Sequence, residues 1–271
     1  MIIEIGYKSN GKKCYVSCDD EAFICEICNS CIGFDITYVE RIEQRNFTHV
    51  YVNSIGNDWY QIASGSVCER LNIANALGYV IRTALDTLSQ ENENIHFIHG
   101  ACVQFSGKYS CFVGKTKSGK STLAYLLCQK AGCKYVTDDL ICIDKSLNCV
   151  PFAKPIFLRS TNYIEDINSC VKIQYQNDIR YCILPTNIID KETCFQLDNV
   201  FIIERDPDSF FEVKKLSDSS AFINIWRNMY TDGFLTQKRN IALQLAKNAT
   251  VYNIKYRDVS CDILNILEIM K

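Results

Sequence analysis

Gly114, Gly119, Lys120 and Ser121 stand in the spacing G-x-x-x-x-G-K-S, inside the run Gly114-Lys115-Thr116-Lys117-Ser118-Gly119-Lys120-Ser121-Thr122. Glycines let a backbone curl until several N–H groups face one point. A helix that opens at the end of such a curl adds the positive end of its dipole. The chemistry this suits is the holding of a phosphate chain, with ATP·Mg²⁺ as the natural occupant. Lys120 would reach the outer phosphates, and the Ser121 hydroxyl would hold Mg²⁺. Lys115 and Lys117 add positive charge around the same loop.

Asp138 and Asp139 follow 18 and 19 residues after Lys120. Phosphoryl transfer to a hydroxyl needs a carboxylate for the metal and a carboxylate to accept the proton, and two adjacent aspartates can divide these tasks. Their mutual repulsion raises the proton affinity of one member, as a base requires. Arg159 closes a later strand-like run and is a further candidate for stabilising charge on the γ-phosphoryl group.

These residues need elements to position them. An apolar run at 110–113 leads into the loop, and a helix-like run at 122–130 leads out and stops near Gly132, a natural C′ residue. Residues 134–137 then read as a strand ending at the Asp pair, with a short apolar strand at 140–144. One helix and one strand fit between Lys120 and Asp138. In a parallel arrangement the end of that strand lies beside the loop. Upstream, 95–104 reads as one strand carrying His99, and Ser106-Gly107-Lys108 as a turn. Downstream, strands are expected at 154–159, 171–175, 179–184, 197–204 and 251–256. Helices are expected at 217–229, 235–247 and 258–270. The polar, irregular stretch 160–195 is where an acceptor loop or lid would sit.

The first third reads differently. Short strands at 2–5, 14–17, 34–40, 50–53 and 59–63 surround a helix that follows Asp19-Asp20-Glu21. A long helix is expected at 68–89. Gln90-Glu91-Asn92-Glu93-Asn94 is a polar break. The expected division is an N-terminal α+β domain, 1–90, and an α/β domain, 91–271.

Within the early helix, Ile24, Ile27, Cys28 and Cys31 make one apolar stripe. Cys25, Cys28 and Cys31 also have ligand-like spacing, but no second pair and no fourth ligand stands at a usual offset. The expectation is packing rather than a metal. The sixteen cysteines are spread through apolar runs, as expected of small buried hydrophobes in a reducing compartment. The 271 residues carry a net charge of −2 with no block of one sign, which argues against a nucleic-acid partner. No run of 18 apolar residues occurs, and the N-terminus lacks a basic region ahead of an apolar stretch. Neither a membrane nor a secretory route is expected, and the cytoplasm is the expected location.

Taken together, His99-Gly100-Ala101, the Gly114–Leu123 loop and helix start, and Val136-Thr137-Asp138-Asp139 resemble the catalytic domain of the HPr kinase/phosphorylase family. They are most similar to its shorter HPr-kinase-related members, which include lasso-peptide kinases. Lys154-Pro155-Ile156, Leu158-Arg159 and the ending Val251-Tyr252 to Tyr256 add softer likeness. The resemblance covers roughly residues 75–271. It implies a P-loop kinase domain of the HPr kinase / PEP carboxykinase type, acting as an ATP-dependent serine or hydroxyl kinase. It also implies Asp138 as base, Asp139 with Ser121 on Mg²⁺, and His99 lining the site. The acceptor would be a peptide or protein with a serine-like hydroxyl, and the family precedent is a homo-oligomer. This chain departs from the family at Lys117, where a glycine is usual, and at Thr122, where the kinases carry Glu. Its glycine- and arginine-rich recognition segment is not evident, so HPr as acceptor and phosphorylase activity are not expected. Two other readings stay open: a small-molecule kinase of the shikimate or gluconate type, and a non-catalytic nucleotide-binding regulator.

Overall fold

The computed structural model describes residues 1–7, 12–31, 33–42, 47–89, 95–167, 170–175, 178–189, 194–230 and 235–271. The chain is a mixed α/β protein that divides into two compact units. The first comprises Met1–Ile95 with Phe152–Pro155, and the second His96–Pro151 with Ile156–Lys271. The polar break at 90–94 lies outside the described residues.

In the first unit the elements run β1 (Ile2–Gly6), β2 (Cys14–Cys18), α1 (Glu21–Ser30), β3 (Asp35–Tyr38), β4 (Thr48–Gly56), β5 (Trp59–Ser64), β6 (Val67–Asn72) and α2 (Ile73–Ser89). Among the described residues the strands form a sheet in the order β3-β1-β2-β4-β5-β6. Alternate residues Ile3, Ile5, Val16, Val50, Val52 and Ile62 are buried, as are Phe23, Ile24 and Ile27 of α1 and Leu77, Val80 and Ile81 of α2. That is the pattern of a sheet with one face packed on a core. Asp20 opens α1 by accepting bonds from the Ala22 and Phe23 amides, which satisfies two of the orphan donors of a helix start.

One expectation fails here. Residues 67–72 are a strand, not the first turn of a helix at 68–89. They pair residue for residue with β5, from Ser64↔Val67 to Trp59↔Asn72, after a turn at Gly65. The Asn72 side chain then accepts the Asn75 amide and so starts α2 one residue later. The sheet pairing outweighs the weak helical preference of Val67 to Asn72.

The second unit contains β7 (Ile95–Ile98), β8 (Gly100–Phe105), β9 (Lys108–Val113), α3 (Lys120–Ala131), β10 (Lys134–Thr137), β11 (Ile141–Asp144), β12 (Cys149–Val150), β13 (Ile156–Leu158), β14 (Val171–Tyr175), β15 (Asp178–Ile183), β16 (Asn199–Arg205), β17 (Glu212–Lys215), α4 (Asp218–Asn228), α5 (Leu235–Asn248), β18 (Thr250–Tyr256) and α6 (Val259–Met270). Its main sheet has the order β10-β8-β9-β16-β18-β17. β16 runs parallel to both β9 and β18. β8 is antiparallel to both β9 and β10, so β9 and β10 point the same way with β8 between them. The C-terminal ends of β9, β10, β16 and β18 therefore share one edge of the sheet. That edge is where the loops of an open α/β sheet gather.

Three local differences from expectation matter. The strand expected at 95–104 is broken at His99, and its halves belong to different sheets. The strand expected at 154–159 is confined to Ile156–Leu158. Residues 152–155 pack instead with the first unit, where Phe152 meets Phe34 and the Ala153 amide donates to the Ser30 carbonyl. Finally, β17 adds an edge strand by antiparallel pairing with β18. Its exposed Glu-Val-Lys-Lys carries no apolar alternation that would announce it. No helix among the described residues is long and apolar enough to cross a membrane.

Candidate functional site

β9 ends at Val113, and α3 begins at Lys120, so the glycine loop is the turn between them. Two glycines make that turn feasible. Gly114 has φ +157, and a Cβ there would come within 2.5 Å of the Ile203 carbonyl of β16. Gly119 caps α3 with φ +94, and a Cβ there would strike the Tyr256 hydroxyl. Both positions call for a residue with no side chain. Lys117 is held at φ +69, an uncommon conformation for a residue with a side chain.

Lys120 turns back over the loop. Its Nζ donates to the carbonyls of Gly114 (2.9 Å) and Lys115 (3.1 Å), and the residue is 6% exposed. Burial pulls its ammonium below the usual lysine range. Asp138 and Asp139 oppose that pull, and the Arg159 guanidinium adds to it. All three bear on the Lys120 ammonium, Arg159 from an exposed position. Arg159 arrives there because it follows directly on β13.

β10 delivers the two carboxylates to the same edge, and they face different partners. Asp138 is 3% exposed, and the Ser121 hydroxyl donates to its Oδ1 at 3.0 Å. Asp139 lies in the left-handed region, φ +71, and its side chain is 41% exposed. Its Oδ1 is 3.4 Å from Nδ1 of His99, and its carbonyl is 2.9 Å from the same nitrogen. A carbonyl only accepts, so Nδ1 carries the hydrogen. The break between β7 and β8 is what releases His99 to make this contact. Its own amide donates to the Asn228 carbonyl at the end of α4.

The structure thus brings together Lys120, Ser121, Asp138, Asp139, His99 and Arg159, all within the second unit. The Ser121 hydroxyl bonds to Asp138, whereas the resemblance implies that Ser121 shares Mg²⁺ with Asp139. Lys115 and Lys117 are exposed. Among the described residues the Ser118 hydroxyl is buried without a hydrogen-bond partner. Two tyrosines outside the expected site residues also reach the site. Tyr230 sets its ring edge-on to His99, with centroids 6.2 Å apart. Tyr256, at the end of β18, donates its hydroxyl to the Ser118 carbonyl. The sequence signal for Tyr256 is its place as the last residue of a strand parallel to β16, but strand order is not written in the sequence.

The cysteine helix behaves otherwise. Cys25 is exposed, Cys28 half-buried and Cys31 buried. Among the described residues no group of three or more His, Cys, Asp or Glu side chains could hold a metal ion.

No family model matches the chain. No curated protein matches it either. Among solved structures it is similar to the HPr(Ser) kinase/phosphatase from Coxiella burnetii, with 10% identity and a TM-score of 0.30, over 64% of this chain and 89% of that one. At that identity and score the likeness fixes neither fold nor chemistry.

Proposed function

We propose that the chain is an ATP-dependent phosphotransferase that moves the terminal phosphate to a serine-like hydroxyl of a peptide or protein, on a P-loop kinase domain of the HPr kinase type. The observation that carries this reading is the 3.0 Å hydrogen bond from Ser121 to Asp138 at the mouth of a glycine loop that its own lysine closes. The peptide or protein acceptor rests on the sequence resemblance.

The residues present fit the groups required. Mg²⁺ takes hard oxygen ligands, keeps several waters and uses one or two carboxylates beside phosphate oxygens. Ser121 and Asp138 supply such a pair of oxygens. The buried, unpartnered Ser118 hydroxyl and the loop's glycines suit an anion that approaches the backbone closely. Bound there, Mg²⁺ would neutralise charge on the phosphate oxygens. Lys120 would exchange its two loop carbonyls for phosphate oxygens, and the Arg159 guanidinium would add positive charge beside them.

The contacts favour exchanging the two aspartates' roles. Asp138 is buried against Ser121 and suits the metal side. Asp139 is half exposed and braced by His99, so it suits an incoming hydroxyl as proton acceptor. His99, with its hydrogen fixed on Nδ1, orients that carboxylate.

The test is transfer of label from [γ-³²P]ATP to serine-containing peptides and proteins in the presence of Mg²⁺. The reading expects phosphoserine product, lost in Asp139→Asn with nucleotide binding intact. It expects Asp138→Asn to lose the Mg²⁺ dependence of nucleotide binding. Transfer at the wild-type rate in Asp139→Asn would sink the base assignment. ATP binding without transfer to any hydroxyl would favour the regulator.

A further inference from the structure

We propose that Tyr256 is a positioning residue for the phosphate loop, and that its hydroxyl sets the orientation of the Ser118–Gly119 peptide. The inference rests on the nucleotide reading given above and adds a residue to it.

Tyr256 ends β18 and is 0% exposed. Its hydroxyl donates to the Ser118 carbonyl, a bond between residues 138 apart in sequence. The peptide unit is planar and trans, so a carbonyl held on one side sends the next N–H to the other. With the Ser118 carbonyl turned to Tyr256, the Gly119 N–H points away from it, at the first turn of α3. That amide and those following it are the orphan donors a helix start offers to an anion.

A second observation comes from Gly119. Tyr256 stands so close to this residue that its hydroxyl lies only 2.1 Å from where a Cβ would be, and Val259 of α6 is 3.6 Å from the same point. The tyrosine thus fills the space beside Gly119 and leaves glycine as the fitting residue there. The base of this support is itself anchored. Asp258, two residues on, caps α6 by accepting the Ser260 amide, accepts the Tyr163 hydroxyl at 2.6 Å and pairs with Arg205 at 3.2 Å. β18 therefore meets the loop with its end fixed by α6, by the 161–163 turn and by β16. A flexible glycine loop gains from such a brace, because order already present need not be created when a ligand binds.

The experiment uses the full chain and two probes, ATP·Mg²⁺ and inorganic tripolyphosphate, titrated by calorimetry into wild type, Tyr256→Phe and Tyr252→Phe. Tyr252 lies on the same strand, stacked on Phe201, and serves as a matched control. Phenylalanine keeps the ring and removes one oxygen, leaving a buried carbonyl unpaired. The expected result is a loss of about tenfold in affinity for both probes in Tyr256→Phe, with Tyr252→Phe within twofold of wild type. Equal loss for the two probes locates the effect at the phosphate cradle, since tripolyphosphate has no base or ribose. A purely structural tyrosine would lower the melting temperature and leave both affinities unchanged, and that result overturns the proposal. Absence of binding by wild type is a different failure. It removes the nucleotide reading itself, and the role of Tyr256 with it.

Discussion

The loop from Gly114 to Ser121 and the helix from Glu21 to Ser30 both space chemistry-bearing side chains at regular intervals. In the loop the spacing produces convergence. Lys120 bends onto the Gly114 and Lys115 carbonyls, Ser121 meets Asp138, and a strand from elsewhere in the chain braces the turn. In the helix it produces dispersion, since Cys25, Cys28 and Cys31 pass from exposed to buried around one turn after another. Burial raises the Cys31 thiol to about 12, with Cys14 and Cys28 adding to the rise, so it stays protonated and packs as a small apolar group. A ligand pattern becomes a site only where a second element turns its own polar groups toward the first.

That contrast can be broken in order of expected effect. Lys120→Ala should cut phosphate transfer by at least ~10²-fold, the scale of losing one preorganised contact to a transition-state charge. Asp139→Asn should lower the rate by ~10²–10⁴-fold with ATP affinity little changed, as measured by single-turnover transfer beside calorimetry. Gly119→Ala forces a side chain into φ +94 against Tyr256. It should cost about 1–3 kcal/mol in urea unfolding and abolish nucleotide binding at the loop. On the helix, Cys31→Ser buries a hydroxyl and should destabilise by about 1–3 kcal/mol, whereas Cys25→Ser should stay within about 0.5 kcal/mol. Neither helix change should alter metal content or transfer. A stoichiometric metal lost with Cys25 would erase the contrast.

Much of this was legible in the chain because local rules govern it. Gly132 ends α3 with φ +66, Asp20 and Asp258 cap their helices, and the strand before the Asp pair falls at 134–137 as its apolar run indicates. The elements that misled are those fixed by distant partners. Residues 67–72 become a strand through β5, and the 95–104 run splits at His99 because its halves pair in different sheets. Motif and spacing pointed to Lys120, Ser121 and the Asp pair, and the resemblance to His99; the structure sets these side chains near one another. The division of partners between Asp138 and Asp139 was not, because the left-handed turn at Asp139 swings adjacent side chains to opposite neighbours. The contact of Tyr256 with the loop escaped for a related reason, as its partner stands 138 residues away.

The central claim is that the 114–121 loop holds phosphate in partnership with Lys120. Calorimetric titration of ATP into wild type and Lys120→Ala, with and without Mg²⁺, addresses it most directly. Saturable, Mg²⁺-enhanced binding to wild type that Lys120→Ala loses is the predicted result. Equal affinity in both proteins, or no binding to a folded wild type, would contradict it.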